Sequence, residues 1–406
     1  EGMQAIAELA YAEMLESGRL IKTTVIFAER ENNWARRTKH KLGCFVLKTF
    51  PVREFSERDA LNILHKLQQY GAWTVLGQLT ETERIAALIN KAEKQLLIAL
   101  LEATYGRGFE QIIESDYRAL TTEREKLFFV TVGVVTERNF GAPVSLIDRA
   151  LSVSGNLSGA SILSEALAGI VVQKEDRLFA RHRVYVRYLL EQVVDPELTA
   201  RAIKGILLAF AQYKAPVIKH INKVEAGIYK GLINHKFLWD ALKGRETLII
   251  SLYSSLEKSF ELDGLFWLQY GLALRDLHDD EEALDKLRTA FEAYPMPHTQ
   301  HALGQQLLIL GRKISERTAA MAYAEEARSL LEPLDEIMES DDTYPIVTLA
   351  EGHTLLVRTF EIDDVARKVA KSYLTTLERR CNAQPNNSRL QECKSRIFKF
   401  AATGVW

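Results

Sequence analysis

From Ser56 onward the apolar positions of this chain follow a helical period, whereas the stretch before it mixes one helix with short extended runs. Gln4 to Ser17 puts Ile6, Leu9, Ala10 and Leu15 on one helical face. Ile21 to Ala28 is instead a β-branched apolar run between Gly18 and Glu29-Arg30-Glu31, and reads as a buried parallel strand with Phe45-Val46-Leu47 beside it. One helix and two strands are only part of an α/β layer, so the rest of that sheet is expected upstream of residue 1. Capping boxes then set helix starts: Thr80 with Glu83 and Thr122 with Glu125 match the pattern, and Ser56 with Asp59 approximates it. Leu61, Leu64 and Leu67 form one apolar stripe, and Ile85 to Leu101 carries another.

Between Thr122 and Val193, three helical stretches precede Ile170-Val171-Val172, a polar tip from Gln173 to Arg177, and Leu178-Phe179-Ala180. Three helices and a hairpin in that order predict a winged helix. Its third helix, Ser158 to Ala168, carries no Lys or Arg, which argues against docking in a DNA groove. Lys174, Arg177, Arg181, His182, Arg183 and Arg187, with Tyr185 and Tyr188 as possible stacking groups, are interrupted by Glu175 and Asp176. They read as a solvated wing with an internal, nucleotide-facing edge.

Trp267, Tyr270, Gly271, Leu274, Ala283, Leu287, Ala290 and Pro295 fall on one spacing, which resembles the tetratricopeptide repeat. The small residues Gly271 and Ala283 let two antiparallel helices approach, the large ones fill the space beside them, and Pro295 ends the second helix. A second unit at His301 to Leu331 aligns Leu303-Gly304 with Tyr270-Gly271 and widens its connection between Gly311 and Thr318. Leu349 to Phe360 and Val365 to Leu377 predict a third pair, with Ala200 to Tyr213 and Thr247 to Phe260 stacked before Trp267. The expectation is a mainly α chain: the end of an α/β NTPase core over 1–55, a helical lid over 56–120, a winged helix over 121–196, and an α-solenoid of tetratricopeptide-like repeats over 197–406.

Composition changes this picture little. The chain is 47% hydrophobic and 26% charged, with 52 Lys+Arg against 54 Asp+Glu, so no global field favours nucleic acid or an anionic membrane. Three cysteines in no metal-ligand spacing favour a reducing compartment, and neither a signal peptide nor a long apolar run is present, which leads to a cytoplasmic assignment. His278 to Glu282 and Glu339 to Asp342 read as polar turns without a metal.

The order of strand, Arg-containing turn, helical lid, winged helix and repeats resembles the STAND class of signal-transducing P-loop ATPases, in particular bacterial antiviral sensors, some carrying a Sir2-type NADase. Val25 to Trp34 looks like their sensor strand, Asn90 to Thr104 like their lid helix, and Arg181-His182-Arg183 like the basic turn after the wing. The resemblance implies nucleotide-sensing roles for Arg30 and His182, an upstream effector, self-association on activation, and recognition of a foreign (phage) protein by the repeats. For Arg30 the residues alone favour an ion pair with Glu29 or Glu31 and only the resemblance raises the sensing role beside it, and for His182 they favour a purely structural histidine. No G-x-x-x-x-G-K-[ST] loop occurs, so ATP or ADP with Mg is expected only in a full-length protein, and no cofactor with this fragment alone. Any ATPase or NADase activity would need residues upstream. The alternatives are an ATPase-type transcription regulator whose repeats bind an inducer, or a non-switching interaction scaffold; no membrane or nucleic-acid partner is expected.

Overall fold

The computed structural model describes residues 48, 50, 56–69, 79–86, 109–153, 167, 170–180, 183–337, 345–385 and 387–406, and is mainly helical. The expected NTPase remnant, the lid helix around Asn90 to Thr104 and the third winged-helix helix fall largely or wholly outside those residues. The chain divides into two units, 1–108 and 109–406.

In the first unit, α1 (Glu57–Gln69) and α2 (Glu81–Ala86) begin at the capping boxes read from sequence. The Ser56 N–H and Oγ each reach Asp59 Oδ2 at 2.8 Å, and Thr80 does the same with Glu83 Oε2. On α1, Ala60 and Leu64 are buried, whereas Leu61 is exposed, so the apolar stripe is narrower than the leucine spacing suggests.

The second unit opens with α3 (Phe109–Arg118), a helix the sequence assigns to the lid. It is tied into this unit by Asp116, which accepts from the Tyr185 hydroxyl at 3.1 Å. Helix α4 (Glu123–Glu137) starts at a full capping box on Thr122 and is buried from Leu127 to Glu137. Such a helix, apolar all round, must be covered on all sides. Strand β1 (Ala142–Pro143) leads into α5 (Val144–Val153), and β2 (Val171–Lys174) and β3 (Arg177–Ala180) form a hairpin turning at Glu175, whose φ is 55°. All pairs are antiparallel in the order β1-β3-β2, with Ala142 opposite Leu178 and Lys174 opposite Arg177. Thr136 Oγ1 accepts the Ala180 N–H at 3.0 Å, fastening the hairpin to α4.

Helix α6 (Arg183–Tyr188) continues into a π-helical turn, Leu189–Val193. The next helix, α7 (Pro196–Phe210), is capped by Asp195 with Pro196 in its first turn, the position where a missing N–H costs nothing. It packs chiefly on α4 and α5 rather than on the later hairpins. Three shorter helices follow, α8 (Lys223–Leu232), α9 (His235–Ala241) and α10 (Glu246–Ser254).

Regular antiparallel helix pairs begin at α11 (Gly264–Asp276) and α12 (Asp280–Ala293), and continue through α13 (Pro297–Gly311) with α14 (Arg317–Ile337) and α15 (Pro345–Phe360) with α16 (Asp363–Ala383) to α17 (Ser388–Thr403). The widened connection expected after Gly311 is the segment 312–316, against 277–279 in the first pair. The alternate helices α11, α13, α15 and α17 also touch in succession, so each pair stacks on the next.

Candidate partner-binding site

Within the α11–α12 pair, the spacing picked out in the sequence becomes a set of contacts. Tyr270 is 2% exposed and lies parallel to Tyr253 with ring centres 4.9 Å apart. Trp267 is covered as well, and its Nε1 donates to the Glu261 carbonyl at 2.8 Å. Lys286 sits 5.2 and 5.1 Å from these two rings and is held by Glu257. Burial, aided by the Glu282 and Glu257 carboxylates, pushes the Tyr270 hydroxyl up to about 12. A Cβ on Gly271 would stand 2.7 Å from Leu287 Cγ and 3.2 Å from the Ala283 carbonyl, so α11 meets α12 at a point where α11 has no room for a side chain of its own. Gly304 stands in the same relation to Leu331 in the following pair. Pro295 lies in the linker, behind Tyr294, whose φ of −150° and ψ of 80° have left the helical region that a following proline disfavours. Trp267, Tyr270, Gly271 and Ala283 thus build the interior of the pair; substituting Trp267 or Tyr270 perturbs folding before it perturbs any partner.

Polar side chains that are buried or half-buried link α11, α13 and α15. Arg275 reaches from α11 onto α13, with Nε donating to Gln306 Oε1 at 2.7 Å, and the two terminal nitrogens to Gln305 Oε1 and the Ala302 carbonyl, both at 2.6 Å. Gln306 in turn donates to the Asp280 carbonyl and carboxylate, and Lys313 pairs with that carboxylate. Burial draws the Arg275 guanidinium down to about 10, opposed in part by Asp276 and Asp280. One turn back on α13, His301 Nε2 meets Thr348 Oγ1 of α15 at 2.9 Å. Burial first, then the positive field of Arg275 and Arg389, lowers His301 to about 4. At the near end, His235 of α9 bonds Gln269 at 2.9 Å and stands 3.5 Å from Asp276.

A second feature is a cavity of about 430 Å³ between α14, α15 and α16, with Ile346, Leu349 and Val369 as its apolar wall. Along its wall His353 Nδ1 and the Tyr373 hydroxyl are 2.6 Å apart, and the lining residue Asp335 bonds Arg380 at 3.0 Å. Burial lowers His353 to about 4 and raises Tyr373.

Arg30 and His182 lie outside the described residues. Beside His182, Arg183 and Arg187 both bond Glu137 Oε1, at 3.5 and 3.3 Å, and Tyr185 is buried, so these members of the basic cluster are engaged within the protein. Asp280, read from sequence as part of a polar turn, is 7% exposed and bonded into α13. The Arg275–Gln305–Gln306 arrangement was missed because its members come from different repeats; the only local signal was polar residues on otherwise apolar helices. Among the described residues, no group of three His, Cys, Asp or Glu could hold a metal ion, and no helix is long and apolar enough to cross a membrane. Compared with family models, curated proteins and solved structures, the chain matches none.

Proposed function

We propose that this chain is the recognition and relay part of a STAND-type switch, in which the paired helices from α11 onward bind a foreign protein and thereby trigger self-association of an upstream effector. The observation that carries the reading is the α11–α12 pair, whose Trp267, Tyr270, Gly271, Ala283 and Leu287 meet as the tetratricopeptide spacing requires. Repeats of this kind present preformed surfaces to macromolecules rather than catalytic clefts. The unit α4–β1–α5–β2–β3 is read as the winged helix that would pass binding on to a nucleotide-dependent module. ATP or ADP with Mg, and the roles of Arg30 and His182, belong to this proposal through the family resemblance. For such a switch, the partner must favour one of two states by a few kcal/mol.

The test is a pull-down from phage-infected bacterial lysate, with chemical cross-linking to locate the retained protein. Cross-links from one phage protein to α13 and α15 support the reading. Cross-links confined to residues 109–195, or retention of duplex DNA that salt removes, overturn it in favour of the transcription-regulator reading. The engagement of Arg183 and Arg187 with Glu137 already speaks against DNA as the partner.

A further inference from the structure

The cavity between α14, α15 and α16, about 430 Å³, is of the size that small-molecule sites occupy. It lies between consecutive repeats and shares no residue with the Arg275–Gln306 bonds that join α11 to α13. Its fixed charges cancel. Arg328 is bonded to Glu325 at 2.9 Å and to Glu332 at 3.0 Å, Asp335 is bonded to Arg380, and the exposed Glu336 and Arg379 carry one charge of each sign. An entering anion would meet Glu332, Asp335 and Glu336, and an entering cation Arg328 and Arg379. A charged ligand would give up its hydration here with no net opposite field in return, whereas a neutral one gives up little.

Two polar groups of the lining are unspent. The Tyr373 hydroxyl lies 2.6 Å from His353 Nδ1 and also faces Arg328. A guanidinium only donates, so the phenol proton goes to Nδ1, and the neutral imidazole carries its own hydrogen on Nε2. Burial, which lowers His353 to about 4, keeps that ring neutral at neutral pH. Its Nε2–H makes no bond among the described residues. Asp335 Oδ2 takes both bonds from Arg380, at 3.2 and 3.0 Å, and Oδ1 makes none among the described residues. Neither atom is sealed in the interior. Because α14 ends at Ile337 and α15 begins at Pro345, Asp335 and Ile346 lie at one end of the cavity. His353 is two turns further along α15, about 10 Å on, with Leu349 and Val369 as apolar surface between.

We infer that this cavity binds a neutral, elongated small molecule with an apolar body, a hydrogen-bond donor at the Asp335 end and an acceptor at the His353 end. The inference stands apart from the recognition reading, since it places a small-molecule site between two repeats whatever macromolecule the array grips. Bound there, the ligand contacts α14, α15 and α16 at once and stabilises the step from one pair to the next.

The test is isothermal titration calorimetry of the intact chain with three para-substituted phenols of similar size: neutral N-acetyl-4-aminophenol, cationic tyramine and anionic 4-hydroxyphenylacetate. The neutral probe offers its phenol O–H to Asp335 and its amide oxygen to His353, and should bind at about 1 mM or tighter. The two charged probes should bind about tenfold or more weaker. Ser372 stands exposed on the α16 wall, so Ser372→Trp fills the cavity from the solvent side and should abolish binding, with circular dichroism unchanged. His353→Phe keeps a ring in place, removes Nε2–H, and should weaken the neutral probe about threefold or more. No saturation by the neutral probe up to about 10 mM, equal or tighter binding of either charged probe, or binding retained by Ser372→Trp overturns the inference. Unchanged binding to His353→Phe overturns the assignment of Nε2–H as the donor.

Discussion

Replacing Gly271 by Ala isolates the close helix crossing on which the α11–α12 pair depends. A methyl there would lie 2.7 and 2.9 Å from Leu287 Cγ and Cδ2, and 3.2 Å from the Ala283 carbonyl. Leu287 is fully buried and has no solvent into which to swing, and the Ala283 contact is backbone. Helices or side chains must therefore shift, at about 1–3 kcal/mol for overpacking. Against this stands a gain of about 0.5–1 kcal/mol from removing a mid-helix glycine. The net expectation is a loss of about 1–2 kcal/mol, a fall of a few degrees in melting temperature for a unit this large. Leu287→Ala alone should cost about 2–5 kcal/mol by leaving a cavity. In the double variant the new methyl enters the space Leu287 vacated, so the two costs should fall short of their sum by about 1 kcal/mol or more. Denaturant unfolding followed by tryptophan fluorescence and by circular dichroism measures all four corners of the cycle. A Gly271→Ala variant more stable than the parent, or costs that simply add, would refute the close crossing.

Acid should weaken the array through its buried histidines. His301 and His353 are held near 4 in the folded chain against 6.5 in the unfolded one, so between those values the unfolded chain binds more protons. Their contribution is complete above about pH 6.5 and is lost as pH falls towards 4, by at most roughly 3 kcal/mol each. Urea midpoints at pH 7 and 4.5 should differ accordingly, with His353→Gln reducing the difference; an unchanged difference would show that His353 is not protonated in that window on unfolding. Asp263 is 1% exposed and accepts from Phe266 N–H at 3.0 Å and Val217 N–H at 2.8 Å, so Asp263→Ala strands two buried donors and should cost about 2–4 kcal/mol in thermal unfolding. Thr122→Ala removes the exposed capping box of α4 and should cost about 1 kcal/mol, with the helix retained by circular dichroism.

Sequence alone determined what depends on neighbours along the chain. Ser56, Thr80 and Thr122 start helices because a cap and its partner are three residues apart, and the hairpin around Glu175 follows from a short polar tip between two apolar runs. The α11–α12 pair was legible because its contact, Gly271 on Leu287, joins two helices linked by a three-residue turn, so the constraint repeats at fixed spacing. Tertiary structure decided the rest. Nothing local tells that α7 packs on α4 and α5, because that depends on which apolar faces are left to cover. Nor does it tell that Asp280 is buried, that Arg183 and Arg187 converge on Glu137, or that Arg275 spends its bonds on neutral oxygens of the next pair. Those polar groups take their meaning from partners 26 to 50 residues away, and a charge's role is set by what surrounds it in space. The packed frame was therefore written in periodicity, while the chemistry of the face it presents emerged only once the helices were stacked.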